Sequence, residues 1–308
     1  MTAPHRILVV GSVALDSIRT PYGEVTEALG GSASYFSFSA SHFAPVSVVA
    51  VVGDDFPQAH RDKFESRGVD LSGLETAKGG TFRWRGEYMA ELGHAHTLET
   101  QLNVFAAFQP KIPDDYRATP LVLLGNIHPA LQIDVLNQVE RPRLVVADTM
   151  NFWIQGEPKI LGEMLRRVDM LVINDEEARM LSGIHNIRRA ADEVRKRGPR
   201  SVIIKRGEHG ALLFDEEGIF AAPAYPLHEV IDPTGAGDCF AGGLLGYLAT
   251  VPEVTPLAMR RAMVHATATA SFCVEAVGTD RVAKIGQPEV KDRVAGICKL
   301  YDFGAHTM

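Results

Sequence analysis

The sequence predicts a three-layer α/β fold, in which a central, mostly parallel sheet lies between two helical layers and carries a small β lid. Two observations predict the layers. Short continuous apolar runs at residues 6–10, 46–52, 121–124, 144–147, 170–173 and 201–204 have the length and character of strands buried on both faces. From residue 120 onward such runs alternate with helical patterns, the β-α-β order that implies parallel pairing. A third observation predicts the lid. Residues 17–29 alternate loosely around Tyr22-Gly23, and Thr81 to Tyr88, inside a polar stretch at 79–105, alternate with period two.

Composition bounds the reading. The 308 residues suffice for one large α/β domain or two smaller ones. No repeat, low-complexity run or flexible linker divides them, so residues 1–308 read as a single domain. A net charge of −7 and the lack of basic clusters interleaved with aromatics argue against a nucleic-acid partner. Residues 1–6 lack the apolar run of a signal peptide, and no stretch approaches a membrane span, so no membrane partner is expected. Cys239, Cys273 and Cys298 are scattered without metal-ligand spacing, and a reduced, cytoplasmic protein is the simplest expectation.

In chain order, the first apolar run leads to Asp16. A carboxylate past a strand's C-terminal end lies where open α/β sheets bind ligands, and it could accept hydrogen bonds from two vicinal hydroxyls. A solvated loop Asp is the plain alternative. Residues 17–29 form the first lid hairpin, and Gly30-Gly31 opens a helix with Ala33, Phe36, Ala40 and Phe43 on one face. After the strand at 46–52, Gly53-Asp54-Asp55-Phe56 reads as a turn and 57–68 as an amphipathic helix ending at glycine. Phe82, Trp84, Tyr88, His94 and His96 are spread through the second lid segment. They could stack on a base or sugar, fill the lid core, or form a dimer contact.

Beyond residue 120, the strand at 121–124 leads to Gly125-Asn126-Ile127-His128-Pro129 and a helix at 130–139. The strand at 144–147 ends at Asp148, and Asn151, Phe152 and Trp153 follow in a loop. A helix at 160–168, a strand at 170–173, a charged helix at 187–197 and strands at 201–204 and 211–214 continue the pattern. Residues 259–273 form a helix of small residues suited to close packing, and the tail from Gln287 holds a terminal helix.

The stretch that organises the rest is Ile231-Asp232-Pro233-Thr234-Gly235-Ala236-Gly237-Asp238-Cys239-Phe240. A β-branched approach enters a Gly-rich turn and then a helix, with Phe240, Leu244, Tyr247 and Leu248 on one face. The glycines let successive amides point into one concavity at the helix N-terminus, which favours phosphate. Asp238 follows in the first turn. An anion hole beside a fixed base suits phosphoryl transfer to a hydroxyl. Taken alone, the same residues also describe a turn with a capping Asp.

The longer run D-P-T-G-A-G-D-C-F-A-G-G resembles the C-terminal signature of the ribokinase/PfkB family of ATP-dependent sugar and nucleoside kinases. The two common nucleotide motifs fail: no G-x-x-x-x-G-K-[ST] exists, and Phe240 occupies the third-glycine position of a dinucleotide fingerprint. The resemblance extends over nearly the whole chain and implies a ribokinase-like fold. It implies Asp238 as base, with Gly235, Ala236 and Gly237 as anion hole. On the acceptor side it implies Asp16 and the Gly30-Gly31 pair, with His128 a further candidate. The family commonly has Asn four residues after the second glycine, where this chain has Tyr35. Tyr35 could donate, stack on a ring or merely pack.

Asn174-x-x-Glu177 resembles the motif that orders Mg²⁺ and its waters, although by itself it reads as a helix cap. Lys205, Gly207 and Gly210 resemble the K-x-G-x-x-G nucleotide loop, with Thr234 nearby and His265 as a wall for adenine. Asp232 and Gly278 stand where relatives often build a monovalent-cation (K⁺) site. The implied reaction moves the γ-phosphoryl of ATP to a hydroxyl of a sugar or sugar-like small molecule. A nucleoside acceptor is the alternative within the family, and a non-catalytic binding protein on the same fold is the alternative outside it. A homodimer through the lid is a further expectation.

Overall fold

The computed structural model describes residues 3–89 and 95–302. Along the chain the strands are β1 (Ile7–Val10), β2 (Ala14–Thr20), β3 (Gly23–Gly30), β4 (Val46–Gly53), β5 (Asp70–Ala77), β6 (Arg83–Glu87) and β7 (His96–Gln101). They continue as β8 (Leu121–Leu124), β9 (Leu144–Ala147), β10 (Met170–Asn174), β11 (Ser201–Lys205), β12 (Ala211–Asp215) and β13 (Gly218–Ala222). The helices are α1 (Ser32–Ala40), α2 (Gln58–Ser66), α3 (Asp114–Arg117), α4 (Pro129–Gln138), α5 (Asn151–Gly156) and α6 (Pro158–Leu165). After them come α7 (Asp175–Ser182), α8 (Ile187–Arg195), α9 (Ala236–Ala249), α10 (Pro256–Cys273), α11 (Asp280–Lys284) and α12 (Gln287–Lys299).

The large sheet has the order β13-β12-β11-β10-β9-β8-β1-β4-β5 and is parallel except that β12 runs antiparallel to its neighbours β11 and β13. Successive side chains of a strand point to opposite faces. Ile7 and Val9 accordingly enter one core with α1, α9 and α10, while Leu8 and Val10 enter the other with Leu161 and Leu165 of α6. Each fully buried side chain of this kind contributes about 1.5–3 kcal/mol. The expected three layers are present.

The lid is a separate four-stranded sheet, β3-β2-β6-β7. It joins the two expected segments through parallel pairing of β2 with β6. His94 lies outside the described residues.

Several elements differ from expectation. Asp70–Ala77 forms an edge strand, invisible in the sequence because polar residues interrupt its apolar ones and most of it is half-exposed or exposed. The hairpin strand β13 was also not expected. Asn151, Phe152 and Trp153 begin the short helix α5 rather than a loop. Helix α1 is buried on every side rather than on one face. Its serines make this tolerable by bonding to carbonyls: Ser34 to Gly30, Ser37 to Ala33 and Ser39 to Cys239 of α9, each at 2.6 Å. Among the described residues, no helix is long and apolar enough to cross a membrane.

Candidate active site

Parallel strands bring their C-terminal ends to one edge of the sheet, and the charged residues of the candidate site collect there. Asp148 follows β9, Asn174 ends β10 and Lys205 ends β11. Lys205 Nζ lies 3.9 Å from Asp148 Oδ1. A Cβ on Gly237 would come within 2.7 Å of the same ammonium, so Lys205 reaches close under the first turn of α9. Burial opposes the charge on Lys205, but Asp148, Glu177 and Asp238 together hold its pKa above the ordinary ammonium range. One ammonium cannot neutralise three carboxylates, of which Glu177 is buried and Asp148 and Asp238 half-buried. Burial, reinforced by Asp148, pushes Asp238 up to about 7. Burial likewise lifts Glu177 to about 7 and raises Asp148.

Asn174 and Glu177 form a closed capping box at the start of α7: Glu177 N donates to Asn174 Oδ1 at 2.8 Å, and Asn174 N donates to Glu177 Oε2 at 2.7 Å. The cap and the metal reading do not exclude each other. The cap uses one carboxylate oxygen and fixes the other beside the cluster. A hydrated hard cation bridging phosphates needs only one or two such groups, and the local excess of negative charge suits it.

Gly235 adopts φ 74° as the N-cap of α9, a conformation that favours glycine. A Cβ there would collide with the ring of Tyr35. Among the described residues the amides of Gly235 and Gly237 have no protein acceptor, whereas Ala236 N donates to Pro233 O at 3.2 Å. The expected trio of amides is therefore reduced to two without a protein acceptor. Ala236 closes the turn, and its neighbours present the free N–H groups.

A cleft of about 300 Å³ opens between this edge and the lid. Asp16, Gly31, Ser32, Tyr35, Asp148, Thr234, Gly235 and Asp238 line its floor, and Phe82, Trp84 and Tyr88 line its lid side. Asp16 is buried against Gly30, where a Cβ would overlap its carboxyl group, so the glycine pair admits the carboxylate. Burial lifts its pKa to about 7, and the Gly31 amide partly counters that. Gly31, at φ 88°, would meet Ser12 O at 2.5 Å if it carried a Cβ. Asp232 is buried, accepting from Thr234 N at 2.9 Å and Gly278 N at 3.1 Å, with no basic partner among the described residues.

Other expected residues lie elsewhere or act differently. Tyr35 lies on the cleft floor with its ring packed against Gly235, and its buried hydroxyl has no partner among the described residues. His128 caps α4, accepting from Ala130 N at 3.1 Å, and its ring meets Trp153 edge-on at 4.9 Å. It stands outside the cleft. Its neighbour Asn126, which does line the cleft, accepts from Trp153 Nε1 at 3.0 Å. His265 stacks on Tyr247 at 4.2 Å and meets Phe43 at 5.8 Å, on the α1 side of α10. The hairpin that follows the nucleotide-like loop touches a different part of α10, through Arg260 over Phe220. His265 is half-buried there, and its ring nitrogen Nδ1 lies 2.8 Å from Arg261 O. Gly207 and Gly210, at φ 52° and 78°, shape the tight turn between β11 and β12. Asp148 was not singled out as a site residue from sequence. Its only signal was its place at a strand's C-terminal end.

The profile of "pfkB family carbohydrate kinase" proteins matches residues 4–285. The chain belongs to this family. The enzyme is therefore an ATP-dependent phosphotransferase that acts on a hydroxyl of a sugar or sugar-like molecule. It is 31% identical over 266 residues to a cytidine kinase of Thermococcus kodakarensis, covering 83% of this chain and 94% of that one. It is 33% identical over 121 residues to an aminoimidazole riboside kinase of Salmonella typhimurium, covering 39% of this chain and 38% of that one. Among solved structures, the nucleoside kinase of Methanocaldococcus jannaschii, a ribokinase-family member, superposes with a TM-score of 0.77 at 19% identity, covering 96% and 99% of the two chains. The ribokinase fold is shared throughout.

Proposed function

We propose that the acceptor is a nucleoside, phosphorylated at a primary hydroxyl of its ribose with ATP as donor. One observation carries this reading. A single cleft joins Asp16, suited to vicinal ribose hydroxyls, to an aromatic lid face of Phe82, Trp84 and Tyr88, suited to a flat base. The cytidine kinase relative supports it by covering nearly its whole length. Asp238 orients the acceptor hydroxyl and takes its proton. The Gly235 and Gly237 amides, with the Lys205 ammonium beneath them, stabilise charge developing on the transferred phosphoryl group.

Glu177 is the side chain that would hold Mg²⁺ through water, and the ion would supply charge neutralisation between the phosphates. Asp232 and the Gly278 loop would hold K⁺, which fits a buried carboxylate without a basic partner. Buried Cys239 and Cys273 are free thiols, in keeping with a reducing, cytoplasmic setting. The exposed strand β7, carrying Leu98, is where a second copy would pair. Sedimentation of the wild type and Leu98→Asp at graded concentrations tests that arrangement.

A panel of nucleosides and sugars with ATP and Mg²⁺, scored by phosphorylated product, tests the central reading. A nucleoside is expected to give the highest kcat/KM. A free sugar as best acceptor would overturn the nucleoside assignment. Binding without turnover across the panel would favour a silent binding protein.

A further inference from the structure

Among the described residues, a polar contact joins the lid to the turn before α9. Tyr88 follows β6, and its amide donates to Arg19 O of β2, the strand that also carries Asp16, at 2.9 Å. Its ring lines the acceptor cleft. Thr234 Oγ1 donates to Tyr88 Oη at 3.1 Å, across a sequence separation of 146 residues. Thr234 in turn donates its amide to Asp232 Oδ1 at 2.9 Å, and Asp232 Oδ2 accepts from Gly278 N at 3.1 Å. A continuous chain of hydrogen bonds therefore runs from the acceptor-gripping strand, through Tyr88 and Thr234, into the turn that presents the Gly235 and Gly237 amides.

We propose that Tyr88 is a positioning residue, whose hydroxyl registers the lid against the anion-hole turn so that a gripped acceptor meets Asp238 with water excluded. The proposal rests on the placement of the reaction at Asp238 and its neighbouring amides. The ring and the hydroxyl have separable duties. The ring contributes to the cleft wall, and the hydroxyl ties that wall to Thr234. A change of about 1 Å in this register would matter, because phosphoryl transfer depends on in-line approach more than on new bonds from the protein. Loosening the tie should also admit water beside the γ-phosphoryl group, which a closed lid keeps out. Burial holds the Tyr88 hydroxyl neutral, its pKa well above the ordinary phenol range, so the tie persists across the working pH.

The test uses the full-length enzyme, ATP, Mg²⁺ and the best nucleoside acceptor of the panel. Tyr88→Phe and Thr234→Val should each lower kcat by roughly 3- to 10-fold, the scale of one neutral hydrogen bond, with acceptor KM changed less. The ratio of ADP released to acceptor phosphorylated should rise above one. The double variant should be no worse than either single one, and Thr234→Ser should restore wild-type values. A merely structural role would lower stability and active fraction while leaving that ratio at one. Unchanged kcat and ratio, or additive losses in the double variant, would overturn the proposal. Should Tyr88→Phe fail to fold, Thr234→Val against Thr234→Ser decides alone. Turnover retained by Asp238→Asn would instead overturn the placement of the reaction. With that variant inactive, a wild-type Tyr88→Phe removes only the registering role.

Discussion

The floor and the lid of the cleft are built on opposite physical terms. The floor packs Asp148, Glu177, Asp238 and Lys205 at the end of a buried parallel sheet, where charges held close together interact strongly. The lid is a thin sheet whose strand β7 is exposed along its whole length; apart from Asp16 at its root on β2, it offers aromatic surface to the cleft. The contrast separates two tasks. A preorganised cluster can hold a base and stabilise developing charge, whereas a thin aromatic layer can change its choice of ring at little cost to the fold.

Asp238→Asn attacks the floor and should have the largest effect. It keeps the shape but removes the proton acceptor, so kcat should fall by about 10²-fold or more with ATP affinity nearly unchanged. Quench-flow with excess enzyme measures the step. A mutant keeping a third of wild-type turnover, with chemistry limiting, breaks the assignment. Asp16→Ala removes one partner of charge-assisted hydrogen bonds, typically ~1.5–3 kcal/mol, and should cost roughly 10- to 150-fold in acceptor kcat/KM. Equal losses of ATP and acceptor affinity would mean that Asp16 supports the fold or the nucleotide.

Trp84→Ala attacks the lid, where base–aromatic stacking is worth about 1–3 kcal/mol. Nucleoside KM should rise by roughly 5- to 100-fold while the rate of the bound complex changes less. Glu177→Gln should raise the Mg²⁺ concentration for half-maximal rate by about fivefold, since water-mediated contacts contribute modestly. A wild-type Mg²⁺ curve would leave Glu177 as a helix cap alone.

The smallest effect is on stability. Asp238, Asp16 and Glu177 hold protons more tightly folded than unfolded, each near a pKa of about 7. Stability from that protonation is full below about pH 4 and is lost as pH rises through about 7. Asp238→Asn should therefore raise the Tm of the ligand-free enzyme at pH 8, on the order of a few degrees, and raise it less at pH 5. Calorimetry at the two pH values checks the sign.

Legibility in the sequence followed the same division. Continuous apolar runs announced the buried strands, because a strand covered on both faces has little room for polar residues. The Gly-rich turn at Asp238 was legible because the backbone angle of Gly235 and the Tyr35 ring packed against it demand glycine there. Asp148 was not legible as a site residue, since its importance comes from meeting Lys205, 57 positions later, across the sheet edge. Strand β5 was hidden because polar residues interrupt its apolar ones. The ring partners of His265, Tyr247 and Phe43, were not legible either, because a helix pattern gives a face but not the neighbour that face meets.

The division of labour has one direct measurement. The two best nucleosides of the panel that differ only in the base give a ratio of kcat/KM for the wild type, Asp238→Asn and Trp84→Ala. If the floor carries the chemistry and the lid the choice of ring, Asp238→Asn lowers both values by the same factor and leaves the ratio unchanged. Trp84→Ala shifts the ratio. A ratio moved by Asp238→Asn and unmoved by Trp84→Ala would contradict the division.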